Sequence, residues 1–296
     1  MAHSEVVLAV EAADGHRFEL IHVPAEGEHQ ARSLLCLPGM GLTARQYIPF
    51  AKSLAAQGIS VWIHEWRGLG SSSWRAGRDC DWGYQQLIEV DLAAALAALP
   101  DQPLVLAGHS LGSQLAAMLA GHHPERCAGL VVIAGGSPWL HAFNWRMRNL
   151  LRLLFYGMPA LVAVVGYFPG KTLGFAGREA GTVMKDWARS GLTGHYRLPG
   201  MVIDNEQAMD QVHCPVLSVR MADDSFVTPA SLEWLTQKLG SPSHQREVLD
   251  GQALGLQAGQ AADHYIWMKE PAAVSALIKT WWPTSGMAAG SNSNSP

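Results

Sequence analysis

The chain has 296 residues and a formal net charge of −4; 48% of it is hydrophobic and 16% charged. That much apolar material can fill a sheet buried on both faces, and it excludes a disordered polymer. The mild acidity supplies no basic field for polyphosphate, and no Lys/Arg run does so locally, so no nucleic-acid partner is expected.

Two opening runs, 5–10 and 17–22, flank Asp14-Gly15 and read as an antiparallel hairpin on a sheet edge. From Arg32 onward, short β-branched or Leu-rich runs alternate with longer Ala/Leu-rich helical patterns, which is how βαβ units of a parallel sheet look. Strands are expected at 34–37, 61–64, 104–107, 129–133 and 216–220, and helices at 43–57, 84–99 and 111–121. Thr43 is the expected N-cap of the first helix and Gly58 its stop. After Ile133 the alternation breaks. Residues 137–210 turn to Trp, Arg, Met, Gly and Pro with helical stretches, and a clean buried strand resumes only after Cys214-Pro215. This block reads as a helical cap inserted after the sixth strand, leaving 1–136 and 211–283 as the core and 284–296, rich in Gly, Ser and Asn, as a flexible tail.

Cys36, Cys80, Cys127 and Cys214 lie far apart, with neither a C-x-x-C pair nor zinc-like spacing, and read as reduced thiols. The apolar run 6–10 is too short for a secretion signal, so a cytoplasmic location is expected. The most apolar stretch, 153–168, is interrupted by Gly157, Pro159 and Gly166 and falls short of a bilayer span. It reads as a buried or interfacial segment, which keeps a peripheral membrane contact through the cap among the expected partners.

Chemistry enters at Gly108-His109-Ser110-Leu111-Gly112. A bare G-x-S-x-G is weak, but here a strand runs directly into the turn and a small-residue helix leaves it at once, the setting of a nucleophile elbow. The two glycines let strand and helix pass close to a strained turn that pushes the Ser110 hydroxyl out over the sheet, at the positive end of the helix. A serine hydroxyl needs a base, and the base an orienting acid, in the chain order Ser, Asp/Glu, His. The loop after the strand 216–220 offers Asp224, with Asp223 as the alternative. His264, between the last strand-like run (246–249) and the final helix, is the expected base, and His244 its competitor. Oxyanion donors are expected at the backbone amide of Leu111 and, in the loop Pro38-Gly39-Met40-Gly41, at that of Met40.

Pro38-Gly39-Met40-Gly41 resembles the His-Gly-x-Gly oxyanion loop of the α/β-hydrolase superfamily, Glu65-Trp66-Arg67-Gly68-Leu69-Gly70-Ser71 its Asp-x-Arg-Gly-x-Gly-x-Ser segment, and 108–112 its elbow. The match runs from Arg32 to Trp282. Asp81-Trp82 with Glu89-Val90-Asp91-Leu92, Tyr167-Phe168-Pro169-Gly170-Lys171 and Asp223-Asp224-Ser225-Phe226 narrow the resemblance to an uncharacterised bacterial group of predicted hydrolases near the serine aminopeptidase and monoacylglycerol lipase type. The resemblance implies an α/β-hydrolase fold, with a mostly parallel sheet flanked by helices, and a triad of Ser110, Asp224 and His264. The departures are Pro38 for histidine, Glu65 for aspartate, and Asp263 where a glycine usually precedes the histidine.

The expected activity is hydrolysis of a carboxylic ester or related small-molecule acyl substrate. Trp139, Phe143, Trp145, Leu150, Leu151, Leu154, Phe155 and Tyr156 are candidate walls of an acyl pocket, or else packing of the cap onto the core. An acyltransferase or peptidase on the same scaffold is the nearest alternative, with Arg146, Arg148 and Arg152 as candidate anion binders. A non-catalytic ligand-binding or membrane-peripheral protein is the more distant one. No cofactor is expected, since there is no metal set, P-loop lysine or dinucleotide fingerprint. Oligomeric state is not legible.

Overall fold

The computed structural model describes residues 5–25 and 32–283; the tail expected at 284–296 lies outside them. The hairpin forms as β1 (Val6–Glu11) and β2 (Arg17–Val23), turning at Gly15 with φ +84°. The alternating part follows as β3 (Ser33–Leu37), α1 (Ile48–Ala55), β4 (Ser60–His64), α2 (Ala93–Ala98), β5 (Leu104–His109), α3 (Leu111–His122) and β6 (Cys127–Ile133). An inserted segment then carries α4 (Trp145–Val165), β7 (Phe168–Pro169), α5 (Gly170–Leu173), β8 (Arg178–Glu179), α6 (Gly181–Thr193) and α7 (Asn205–Asp210). The chain closes with β9 (Val216–Met221), α8 (Pro229–Thr236), β10 (His244–Leu249), α9 (Ile266–Lys269) and α10 (Ala272–Trp281).

Eight strands form one sheet in the order β1-β2-β4-β3-β5-β6-β9-β10. The pairs β1–β2 and β2–β4 are antiparallel and the others parallel. Alternation along the strands divides the core in two. Leu35, Leu37, Leu104, Leu106, Leu130 and Val132 join one apolar cluster with α3, while Leu34, Cys36, Val105, Ala107, Val131 and Ile133 join the other with α1 and α10. With successive side chains pointing to opposite faces, both faces are covered, and this is why these strands read as continuous apolar runs.

The helix expected at 43–57 starts instead as a 3-10 turn, Ala44–Tyr47. Thr43 caps it, its amide donating to Gln46 Oε1 at 2.8 Å. Pro49 has no N–H to bond Arg45, so the regular helix can begin only at Ile48. The helix expected at 84–99 begins at Tyr84 but widens into a π-helical stretch, Gln86–Leu92, before becoming α2. Within the inserted segment, α4 is capped by Asn144, whose Oδ1 accepts from Met147 N at 3.1 Å, and stops at Gly166 with φ +88°. The last piece, α7, packs on α3 so closely that a Cβ on Gly121 would lie 2.1 Å from the Ala208 carbonyl oxygen. Met40, Ser110, Asp224 and His264 follow the carboxyl ends of β3, β5, β9 and β10, one rim of the sheet, where α/β folds build sites.

Candidate active site

Ser110 sits at φ 53°, ψ −120°, a conformation that a non-glycine residue adopts only under constraint. The constraint is visible: its amide donates to the Ile133 carbonyl at 3.1 Å on the neighbouring strand, and Ser113 Oγ donates to the Gly108 carbonyl at 2.5 Å across the turn. Neither flanking glycine can be exchanged. A Cβ on Gly108 would lie 2.3 Å from Gly112 C and O, and one on Gly112 would lie 2.1 Å from Leu37 O.

His264 Nδ1 and Asp224 Oδ2 are 2.7 Å apart, both side chains buried. The other oxygen, Asp224 Oδ1, accepts the amides of Phe226 at 2.8 Å and Val227 at 3.1 Å, which fixes the carboxylate plane. Nδ1 therefore carries the proton toward the carboxylate, and Nε2 is left as the basic nitrogen. The alternatives separate cleanly. Asp223 Oδ2 accepts from Ala262 N at 2.9 Å and ties down the loop leading to His264, whereas His244 Nε2 meets Ser218 Oγ at 2.9 Å between β10 and β9.

Ser110, His264, Leu111 and Met40 all line one cavity of about 400 Å³. It is walled chiefly by apolar side chains. Phe143, Leu150, Leu151 and Leu154 line it as expected. Trp139, Trp145, Phe155 and Tyr156 do not: Trp139 stacks on Trp234 with centroids 3.6 Å apart, Phe155 packs edge-on against Trp187, and Trp145 and Tyr156 are exposed. The arginines of α4 also stay outside the cavity lining. Arg148 spends its guanidinium on the carbonyls of Leu140, His141 and Phe143, while Arg146 and Arg152 point to solvent.

Three residues that sequence reasoning did not single out hold the rim together. The Gly39 amide donates to Tyr47 Oη at 2.8 Å, Tyr47 Oη lies 2.6 Å from His109 Nδ1, and His109 Nε2 lies 3.1 Å from the His264 carbonyl oxygen. Burial, with a smaller push from His264, depresses the His109 pKa well below the usual value, so its ring is neutral. Its Nε2 faces an acceptor and must bear the hydrogen, so Nδ1 accepts from the tyrosine hydroxyl. One buried imidazole thus joins the loop after β3, the turn at Ser110 and the loop that carries His264. The third residue, Trp66, donates from Nε1 to the Pro38 carbonyl at 2.8 Å. Tyr47 carries no local signal because its partner lies 62 positions away in the chain. Tyr47→Phe would strand the Gly39 amide and His109 Nδ1 without partners and is expected to cost about 1–3 kcal/mol in urea unfolding.

The Glu65-to-Ser71 segment is structural in a definable way. Glu65 Oε1 accepts the Ala44 amide at 3.1 Å, and a Cβ on Gly70 would collide with Glu65 Oε2 at 1.8 Å. Arg67 grips Asp91 through Nε at 2.8 Å and Nη2 at 2.5 Å, and Asp14 through Nη1 at 2.6 Å. His16 completes this group, bonding Asp91 and Ser72 at 2.9 Å each.

Behind the loop after β3, a small space bounded by Met40, Gly41 and Leu111 also receives Glu179. Desolvation pushes this carboxyl up to about 7, against one bond accepted from the Gly177 amide. A carboxyl with a raised folded-state pKa stabilises the protein fully below its unfolded value, and that contribution is lost as pH rises through about 7. Thermal melts should therefore show Glu179→Gln gaining stability relative to the parent between pH 5 and pH 8, both of these pH values being nominal, about one to two units either side of neutrality.

Residues 32–253 match the family model described as alpha/beta hydrolase fold. The chain belongs to that family. Among solved structures it is similar to a thioesterase domain from the curacin biosynthetic pathway (19% identity, TM-score 0.60, covering 94% of this chain and 99% of that one). It is likewise similar to a thermophilic esterase from Thermogutta terrifontis (18%, 0.59, 94% and 97%) and to E-2-(acetamidomethylene)succinate hydrolase (17%, 0.59, 94% and 98%). At these identities the likeness is one of fold. Family and fold together make the protein an α/β-hydrolase with hydrolase neighbours.

Proposed function

We propose that the protein is a serine hydrolase that cleaves carboxylic esters of moderately hydrophobic acyl groups through Ser110, His264 and Asp224. His264 Nε2 takes the hydroxyl proton as Ser110 Oγ bonds to the ester carbonyl carbon. The resulting oxyanion is met by the amides of Leu111 and Met40. Collapse of this intermediate breaks the bond to the alkoxy oxygen, which leaves as the alcohol with the proton from His264. Water then repeats the sequence on the acyl-enzyme: it gives a proton to His264, adds to the acyl carbon, and releases the acid while Ser110 recovers its proton.

The observation that carries this reading is the 2.7 Å pairing of His264 with Asp224 on the wall of the cavity into which the Ser110 elbow opens. The apolar lining supports an acyl chain as the bound part, and the names of two similar structures, an esterase and a thioesterase, agree with acyl chemistry. Rates on p-nitrophenyl esters of graded chain length test it. Each buried methylene is worth about 0.8 kcal/mol, so kcat/KM should rise about tenfold from acetate to butyrate. A protein that turns over none of these esters is not the hydrolase proposed.

A further inference from the structure

The apolar side chains that line the cavity do not end at its mouth. Leu150, Leu173, Phe226 and Tyr265 belong to the cavity wall and are also 42–60% exposed on the outer surface. The patch continues along α4, where Trp145, Leu153, Tyr156 and Val164 stand 67–75% exposed on the side opposite Phe155, Met158 and Val162. A helix with a buried apolar face and a second, solvent-facing apolar face is unlike an ordinary surface helix, whose outer side is polar.

Charge around the patch has one sign on the helix itself. α4 contains Arg146, Arg148 and Arg152 and no acidic residue, and the exposed Lys171 lies on α5 next to Leu173. At the far end of α4, Arg78 donates to the Val164 carbonyl at 2.6 Å. Cations framing aromatic and Leu side chains are the pattern of a helix lying in a lipid–water interface with acidic headgroups.

Contrary to the expectation that Gly157 and Pro159 interrupt this stretch, α4 runs through both as one helix of 21 residues, so by length and composition it could cross a membrane, yet its inner side is already used. Phe155 packs edge-on to Trp187 of α6, and a Cβ on Gly191 would overlap the Phe155 ring at 2.1 Å. Crossing would pull those contacts apart; lying flat keeps them.

Resting on the acyl-hydrolase reading above, we propose that the outer face of α4 docks on an anionic lipid bilayer, setting the cavity mouth against the membrane so that acyl substrates enter from the lipid phase. The face buries Trp145, Leu153, Tyr156 and Val164 among the acyl chains, while Arg146, Arg152 and Lys171 meet the headgroups.

The test is co-sedimentation of the Ser110→Ala protein with vesicles of phosphatidylcholine alone and with about one third phosphatidylglycerol added. Binding is expected to be at least about tenfold tighter on the anionic vesicles, and to weaken but persist as salt is raised. The double substitution Leu153→Glu with Val164→Glu, on residues outside the cavity, should lower binding at least about tenfold with an unchanged melting temperature. Absence of binding to either vesicle, or binding that the two glutamates do not reduce, overturns the proposal. So does a stable dimer in light scattering that the same glutamates dissociate, since a second copy would then cover the face. Vesicle binding by Ser110→Ala needs no catalysis. Loss of ester turnover therefore tells against the hydrolase reading alone, and loss of vesicle binding with turnover intact tells against the docking alone.

Discussion

Asp224→Asn is expected to reduce kcat by about 10⁴-fold with little change in KM or melting temperature. The size follows from which atom would face the imidazole. In the parent, Oδ1 is committed to the amides of Phe226 and Val227, and Oδ2 accepts from His264 Nδ1. An asparagine must keep its single oxygen on the two amide donors, because its NH2 group there would meet two N–H groups head-on. The NH2 then points at His264 Nδ1 and donates to it, so the imidazole hydrogen moves to Nε2. A ring protonated at Nε2 cannot take the Ser110 proton. Steady-state kinetics on a p-nitrophenyl ester would show this as a fall in kcat, and an Asp224→Asn enzyme retaining more than a tenth of parental kcat would contradict the assigned geometry, since loss of a tautomer-setting acid costs about four orders of magnitude.

Gly108→Ala is expected to be strongly destabilising for the addition of a single methyl group. The added carbon would lie 2.3 Å from Gly112 C and O and 2.4 Å from Ser113 N. These are backbone atoms of the first turn of α3, so no side-chain rotation relieves the overlap. The helix or the strand must shift, and the strand and the helix from Leu111 through Gly121 are buried. Unfolding free energy should drop by more than about 4 kcal/mol, beyond the range of ordinary substitutions. Gly157→Ala is the matched control: it lies within α4, a Cβ there meets nothing within 4 Å, and the change should add about 0.5–1 kcal/mol. Urea unfolding of the pair reads the contrast directly.

Most of the parallel sheet was legible in the sequence because its strands are buried on both faces and need uninterrupted apolar runs between helices. The candidate positions Ser110, Asp224 and His264 could be reached for a related reason: each lies in a segment that follows the carboxyl end of a parallel strand, so chain order and strand pattern together point to those loops. Pattern does not separate Asp223 from Asp224, since both occupy the same loop; the distinction rests on which carboxylate meets His264 Nδ1, and that is Asp224, at 2.7 Å. The Tyr47–His109 link was out of reach because it joins segments with no local periodicity between them. The inserted segment shows the limit of composition most clearly. Composition left its aromatic and Leu residues as either a pocket wall or packing onto the core, whereas helical geometry distributes them in three directions, with Leu151 and Leu154 to the cavity, Phe155 to α6, and Trp145 and Tyr156 to solvent. Hydrophobicity without the rotation of the helix cannot separate these.

The proposed hydrolysis requires Ser110 to be an activated nucleophile. Reaction with a fluorophosphonate probe, followed by mass-spectrometric mapping of the adduct, addresses that with no assumption about substrate. One adduct on Ser110 in the parent protein, absent from His264→Ala, is the predicted result. An unmodified Ser110, or an adduct that forms just as readily without the His264 imidazole, would contradict it.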